Sequence, residues 1–123
     1  MNVIETKNAP GAIGPYSQAI STGSLIFTSG QLPLKPGSKD ISDNIKDQAR
    51  ASLTNVRAIL EAAGSSLQKV VKTTVYLTDI SDFASVNEIY AEFFSTPFPA
   101  RSCFAVKALP LGARVEIEVI ASV

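Results

Sequence analysis

Two segments with apolar residues at helical spacing separate the strand-like stretches of this chain, and this order constrains the fold more than any other feature. The first segment covers positions 45 to 63 and the second covers positions 83 to 94. Apolar residues that recur every three or four positions form one face of an amphipathic helix. The sequence therefore predicts two helices, each with one face against a core.

The residues that flank the two segments suit helix ends. Ser42 can cap the first helix, and Gly64 stands where a C-terminal cap belongs. Ser81 or Asp82 can open the second helix, because short polar side chains satisfy the free amides of a first turn.

Five stretches rich in β-forming residues surround the helices, at positions 16–21, 25–29, 70–77, 101–107 and 114–121. Residues 22–24 predict a tight turn between the first two. The predicted order is β-β, helix, β, helix, β-β, without a repeat or a linker. It favours an α+β fold in a single domain of residues 1–123, with a mixed sheet and both helices on one face.

The predicted strand at 70–77 carries apolar residues on both faces. Strict alternation sets Val70 and Tyr76 against Val71, Val75 and Leu77. In a two-layer domain the second face would meet water. We therefore expect oligomerisation to cover it.

Composition excludes several classes of function. Eleven Lys and Arg balance eleven Asp and Glu, so the chain has no net charge with which to attract nucleic acid. There is one cysteine and no histidine, which excludes the usual zinc sites and every histidine-based catalytic triad. Without a signal peptide or an apolar run of membrane length, we expect a soluble, cytoplasmic protein that uses neither metal nor cofactor.

The last two predicted strands carry the residues best suited to chemistry. These two strands can pair as a hairpin whose apolar side chains all lie on one face. In that arrangement the opposite face carries Arg101, Cys103, Glu116 and Glu118. Spacing alone favours a solvated polar face with cross-strand ion pairs of little energetic value. The alternative is a carboxylate-binding arginine beside an acid–base glutamate, since guanidinium and carboxylate planes match in a bidentate pair.

Other candidates have ordinary structural interpretations. Asn87 lies close to the apolar face of the second helix, where an amide needs partners. The ring of Tyr16 could simply anchor the loop before it. Cys103 could be a small, buried structural residue. Ser29 and Gly30 end a strand, where small residues permit close approach of another group.

Several motifs together resemble the RidA/YjgF family, whose members are also called endoribonuclease L-PSP. The resemblance rests on residues 12–19 (AIGPYSQA), 28–31 (TSGQ), 71–77 (VKTTVYL), 98–103 (FPARSC) and 115–119 (VEIEV), with likeness at 48–50 and 86–88. These motifs span nearly the whole chain in the family's order. The resemblance implies a chorismate-mutase-like fold in a homotrimer, with a central barrel of sheets, helices outside and clefts between subunits.

The same resemblance implies catalytic roles for two residues. Arg101 is expected to bind the substrate carboxylate. Glu116, which matches the family's glutamate better than Glu118 does, is expected to position or activate water. The implied reaction is cofactor-free hydrolysis of reactive 2-imino acids, such as 2-iminobutanoate and 2-iminopropanoate, to 2-oxo acids and ammonia.

Five further residues are expected to bind substrate by the same resemblance. Tyr16 should pack over it, Ser29 and Gly30 should offer polar contacts, and Asn87 should line or support the cleft. Cys103 should act through its backbone. The segment at 94–99 is shorter than the family pattern, which leaves the substrate size open.

Two alternatives belong to other functional classes. One is an endoribonuclease or translation inhibitor acting on RNA, against which the zero net charge argues. The other is a non-catalytic, chaperone-like trimer that binds ligands in the same cleft, because one fold can host many functions.

Overall fold

A six-stranded mixed sheet and two helices make up the chain, in a computed structural model that describes residues 1–123. The elements are β1 (Asn2–Ile4), β2 (Ala19–Thr22), β3 (Leu25–Thr28), α1 (Ile45–Ala62), β4 (Val70–Leu77), α2 (Phe83–Phe93), β5 (Ala100–Ala105) and β6 (Val115–Ser122). The predicted α+β class, both helices and all five predicted strands are confirmed. β1 was not predicted, because three residues are too few to reveal an alternating pattern.

The strands are arranged in the order β1-β2-β3-β6-β4-β5. β4 and β5 are parallel, and every other neighbouring pair is antiparallel. The expected hairpin between the last two strands is wrong, because β4 lies between β5 and β6. A parallel partner requires a crossover connection, and α2 provides it between β4 and β5.

Helix α1 carries the predicted apolar face but begins later than Ser42. Its N-cap is Asn44, whose side-chain oxygen accepts a hydrogen bond from the amide of Asp47 at 3.1 Å. The hydroxyl of Ser42, two residues before the cap, instead accepts a hydrogen bond from the amide of Asn44. Gly64 follows the helix with φ near +79°, a left-handed conformation that favours glycine.

Helix α2 begins at Phe83, after a 3-10 turn at Ile80–Asp82. Asp82 occupies the N-cap position of α2, as predicted, although its side chain makes no capping hydrogen bond. The side chain of Asp79 caps the preceding turn and accepts from the amide of Ser81 at 2.9 Å. The periodicity predicts that one face of this helix carries Phe83, Val86, Ile89, Tyr90, Phe93 and Phe94. These side chains differ in burial in the folded chain. Val86, Ile89 and Tyr90 are buried, whereas Phe83 is 36% exposed.

The core lies between the helices and one face of the sheet. Both helices contribute to the same buried cluster, which contains Leu53 and Ile89 from the helices and Val75 and Ile117 from the sheet. The predicted division of the β4 side chains between the two faces is wrong at Val70. A bulge between Val70 and Lys72 breaks the alternation, so that Val70 joins the core.

The other face of the sheet has no layer of this chain over it. Val3, Phe27 and Phe104 are each more than one third exposed, as is Val71 at the bulge. The expectation of an uncovered, partly apolar second face therefore agrees with the structure. Neither helix combines the length and the apolar content that a membrane span requires.

A polar network holds the start of β6 against both helices. The guanidinium of Arg114 donates to Asp82 at 2.7 Å, and its backbone amide donates to Gln48 of α1 at 2.9 Å. Asp82 and Gln48 are buried. This network fixes the strand two residues before Glu116.

Packing of α1 on the sheet should dominate stability. Leu53→Ala removes a fully buried side chain, so we expect a loss of about 2–5 kcal/mol in the free energy of unfolding. Urea denaturation measures the change. Thr54→Ala, at the next and exposed position, is the matched control and should stay within about 0.5 kcal/mol of wild type. Equal effects of the two variants would contradict the burial of Leu53 between α1 and the sheet.

Candidate active site in two halves

Arg101 lies on the edge strand β5 and extends toward α2. Its Nη1 donates to the Oδ1 of Asn87 at 2.7 Å. Its guanidinium carbon lies 4.7 Å from the ring centre of Tyr90 and 5.3 Å from that of Phe83. Arg50 and Arg114 form ion pairs with carboxylates of the chain, whereas Arg101 forms none. Its charge is therefore fixed in place but not neutralised, as an anion-binding group requires.

Cys103 shares the face of Arg101, two residues along β5. It lies opposite Val75 in the register of β4 and packs against the core. Burial raises the pKa of its thiol, and the nearby positive charge of Arg101 only partly opposes this effect. A neutral thiol is a poor nucleophile. Cys103 is therefore better suited to a contact through its backbone than to covalent chemistry.

Glu116 lies on β6, half-buried on the open face of the sheet. Burial raises the pKa of its carboxyl, and the negative charge of Glu118 adds to the increase. No side chain of this chain donates a hydrogen bond to it. A carboxyl with a raised pKa and free oxygens takes up and returns protons more readily than an ordinary exposed carboxylate does.

Glu118 is engaged elsewhere, which separates the two glutamates. The hydroxyl of Tyr76 donates to its Oε1 at 2.6 Å, and this bond is the main reason that the pKa of Tyr76 rises to about 12. This bond occupies one oxygen of Glu118, whereas no side chain of the chain donates a hydrogen bond to Glu116. The geometry therefore favours Glu116 as the proton carrier.

Gly30 makes room for the Glu116 carboxylate. Gln31 and Ile117 exchange backbone hydrogen bonds of 2.8 and 3.2 Å, which draw the segment after β3 against β6. A Cβ at position 30 would lie 2.5 Å from the Glu116 Oε1. Any side chain here would displace the carboxylate. Position 30 is therefore a glycine because the Glu116 carboxylate lies so close to its backbone.

Tyr16 and Ser29 lie near Gly30. Tyr16 is 54% exposed and lines an open cavity of about 460 Å³ together with Gly30 and Leu111. The hydroxyl of Ser29 donates to the backbone oxygen of Ser17 at 2.6 Å. That hydroxyl braces the loop before β2, so Ser29 is a support for the cavity wall in this chain.

The predicted cluster of Arg101, Cys103, Glu116 and Glu118 on one face of the sheet is wrong. In the register, β4 pairs Thr73 with Arg101 and Tyr76 with Glu116. Positions three residues apart on a strand point to opposite faces. Arg101 and Cys103 therefore lie on the helix side, and Glu116 and Glu118 lie on the open side.

The candidate residues thus form two half-sites. The arginine half contains Arg101, Asn87 and Cys103. The glutamate half contains Tyr16, Ser29, Gly30 and Glu116. Within one chain the sheet separates the two half-sites.

Sequence reasoning missed Phe83, Tyr90 and Tyr76 as partners of the candidate residues. Phe83 and Tyr90 were assigned to the apolar face of the second helix. Their signal was available: they share a helical phase with Asn87, which had been singled out. Tyr76 gave no signal, because its pairing with Glu118 depends on β4 lying beside β6.

Comparison with known proteins agrees with this description. The sequence model of the family described as Endoribonuclease L-PSP matches residues 6–123. The 2-iminobutanoate/2-iminopropanoate deaminase of Escherichia coli is 50% identical over 121 residues, which are 96% of this chain and 94% of that protein. RutC family protein y4sK of Sinorhizobium fredii is 58% identical over 120 residues, 97% of this chain and 95% of that protein.

Solved structures share the whole fold. Escherichia coli TdcF with bound serine superposes with a TM-score of 0.96 at 49% identity, covering 100% of this chain and 99% of that one. The YjgF gene product of Escherichia coli gives 0.93 at 47% identity, covering 99% and 98%. The family match, the relatives and the shared fold agree with one another, and this chain therefore belongs to the Endoribonuclease L-PSP family, the family of the RidA and YjgF proteins.

Proposed function

We propose that this protein hydrolyses reactive 2-imino acids and their enamine tautomers to 2-oxo acids and ammonia, with 2-iminobutanoate and 2-iminopropanoate as substrates. The observation that carries the proposal is the Arg101 guanidinium, held by Asn87 and two rings and paired with no carboxylate of the chain. Such a group suits the carboxylate that every 2-imino acid carries. Two relatives are named 2-iminobutanoate/2-iminopropanoate deaminase, which supports the choice of reaction.

The reaction needs a positioned water and a proton carrier. Water adds to the imine carbon while Glu116 accepts a proton from it. The same carboxyl then returns the proton to the nitrogen. As ammonia leaves, the remaining hydroxyl proton passes to the Glu116 carboxylate and the carbon–oxygen double bond forms. Arg101 holds the substrate so that one face of the imine meets this water, and positioning of this kind can supply several kcal/mol.

We further propose that the protein acts as a homotrimer with its sites between subunits. The separation of the two half-sites by the sheet supports this, since only a second copy can bring Glu116 near Arg101. The exposed apolar residues of the open face support it as well, because burying them against another copy would stabilise the assembly. The serine bound to the related TdcF is a small molecule with a carboxylate, as this cleft requires.

The name of the family, Endoribonuclease L-PSP, also suggests RNA cleavage as an activity. No contact in the structure favours it over the deaminase reaction, and the chain has no net positive charge.

Loss of the arginine should abolish catalysis. For Arg101→Ala we expect kcat/KM to fall roughly 100-fold or more, because a bidentate charge-assisted pair contributes about 3 kcal/mol. A threonine dehydratase supplies 2-iminobutanoate, semicarbazide traps it, and formation of the free 2-oxo acid is followed. Arg57→Ala, an exposed arginine on α1, is the control. RNA cleavage by wild type, without imine hydrolysis, would overturn the proposal.

Activity should depend on the ionised form of Glu116. Because its pKa is raised, the base form and kcat/KM should decline as pH falls through that raised value. Glu116→Gln should lose about 10²–10⁴-fold in rate. Glu118→Gln removes a neighbouring negative charge, so the acid limb should move to lower pH. Carbon-13 NMR of the Glu116 carboxyl measures the pKa directly, and an unmoved limb in Glu118→Gln would contradict this assignment.

Two inactive variants should complement each other. When Arg101→Ala and Glu116→Gln chains are co-expressed in equal amounts with different tags, random trimers place an intact Arg101 opposite an intact Glu116 at about one quarter of the clefts. About that fraction of wild-type activity should return, while each variant alone stays inactive. Native mass spectrometry verifies the mixed trimers. If mixed trimers form without activity, the two residues do not share a cleft between subunits.

A further inference from the structure

We propose that Phe83 and Tyr90 are positioning residues for the reaction: with Asn87 they form a receptor face on α2 that holds the Arg101 guanidinium ready for a carboxylate. The inference rests on the proposed function and deepens it by assigning carboxylate recognition to two aromatic side chains. Phe83, Asn87 and Tyr90 are spaced i, i+4 and i+7, so they line one face of the helix.

All three residues of this receptor face contact the same group. The guanidinium carbon of Arg101 lies 4.7 Å from the Tyr90 ring centre and 5.3 Å from the Phe83 ring centre. Both distances are within the range of cation–π attraction. The amide oxygen of Asn87 accepts from Nη1 at 2.7 Å, which fixes the rotation of the guanidinium plane. Rings and amide together restrict an otherwise flexible side chain on an edge strand.

The chemical nature of the three contacts matters as much as their number. Arg50 and Arg114 are oriented by carboxylates, Glu92 and Asp82, which also neutralise them. Two neutral rings and a neutral amide orient Arg101 without adding negative charge. The guanidinium therefore keeps its full charge and most of its N–H donors for an incoming anion. Because the side chain is already ordered before the anion binds, binding costs less conformational entropy.

Tyr90 and Phe83 contribute in different ways. Tyr90 is buried, and its hydroxyl shares a hydrogen bond of 2.8 Å with Thr73, the residue opposite Arg101 on β4. Its ring is thus fixed to the same pair of strands that carries the arginine. Phe83 is partly exposed and stands outside the buried cluster. Its replacement can therefore test the receptor face without opening the core.

The test compares two leucine substitutions on α2 in the full-length protein. Phe83→Leu removes the ring beside Arg101. Phe93→Leu removes a ring that lies 5.3 Å from a different arginine, Arg57, and serves as the matched control. In Phe83→Leu we expect KM for the imine and the inhibition constant of 2-oxobutanoate to rise about 3- to 10-fold, with kcat nearly unchanged. Phe93→Leu should match wild type in all three.

Tyr90→Phe supplies the conservative variant. It keeps the ring and loses the hydroxyl that meets Thr73, so carboxylate affinity should be retained. An increase in KM as large as that of Phe83→Leu would mean that the hydroxyl, rather than the ring, orients the arginine, and would overturn the assignment of the aromatic face.

A spectroscopic measurement separates this inference from the proposed function. Rotation of the Arg101 guanidinium about its Nε–Cζ bond is followed by nitrogen-15 NMR, with the signal assigned by Arg101→Lys. Slow rotation in wild type and Phe93→Leu, and several-fold faster rotation in Phe83→Leu, would support positioning even if no imine were hydrolysed. Equal rotation rates in all three proteins, or equal KM values in an active enzyme, would overturn the inference while leaving the deaminase reaction untouched.

Discussion

The register of the central strand β4 determines where every candidate residue lies. β4 pairs with β5 in parallel on one side and with β6 in antiparallel on the other. Because side chains alternate along a strand, this double pairing directs Arg101 to the helix side and Glu116 to the open side. A slip of one residue on either side would reverse that strand's residues and expose its apolar set. Burial of Val75, Leu77 and Ile117 therefore fixes the chemistry as well as the core.

Most of the fold was accessible from the sequence because its main signals are local. Helical periodicity identified α1 and α2, and alternation identified β6. Their ends were less certain, since Ser42 and Asn44 are both good caps and only the path of the preceding loop selects between them. The bulge after Val70 likewise leaves no local signature in the sequence, although it turns Val70 toward the core and leaves Val71 exposed.

The site was harder to predict because it depends on neighbours distant in sequence. The motifs singled out Arg101 and Glu116 as candidates, but the assumed hairpin placed them together. The crossover through α2 makes β5 the parallel neighbour of β4, and β6 pairs with the other side of β4. Local pattern carries no information on such strand pairing. The contacts of Arg101 with Phe83 and Tyr90 follow from the same crossover, because it lays α2 beside the edge strand.

The two half-sites also explain why assembly and chemistry would be coupled in the proposed trimer. One chain holds an arginine without a carboxylate partner and, across the sheet, a half-buried glutamate without a hydrogen-bond donor. Burial of the Glu116 carboxyl carries a desolvation penalty that no hydrogen-bond donor of its own chain offsets, whereas the Arg101 guanidinium is exposed and open to an anion. A second copy that brings the two sites face to face would place opposite charges around a single cleft. A substrate with a carboxylate at one end and a protonated imine at the other matches that polarity, with its anion toward Arg101 and its cation toward Glu116.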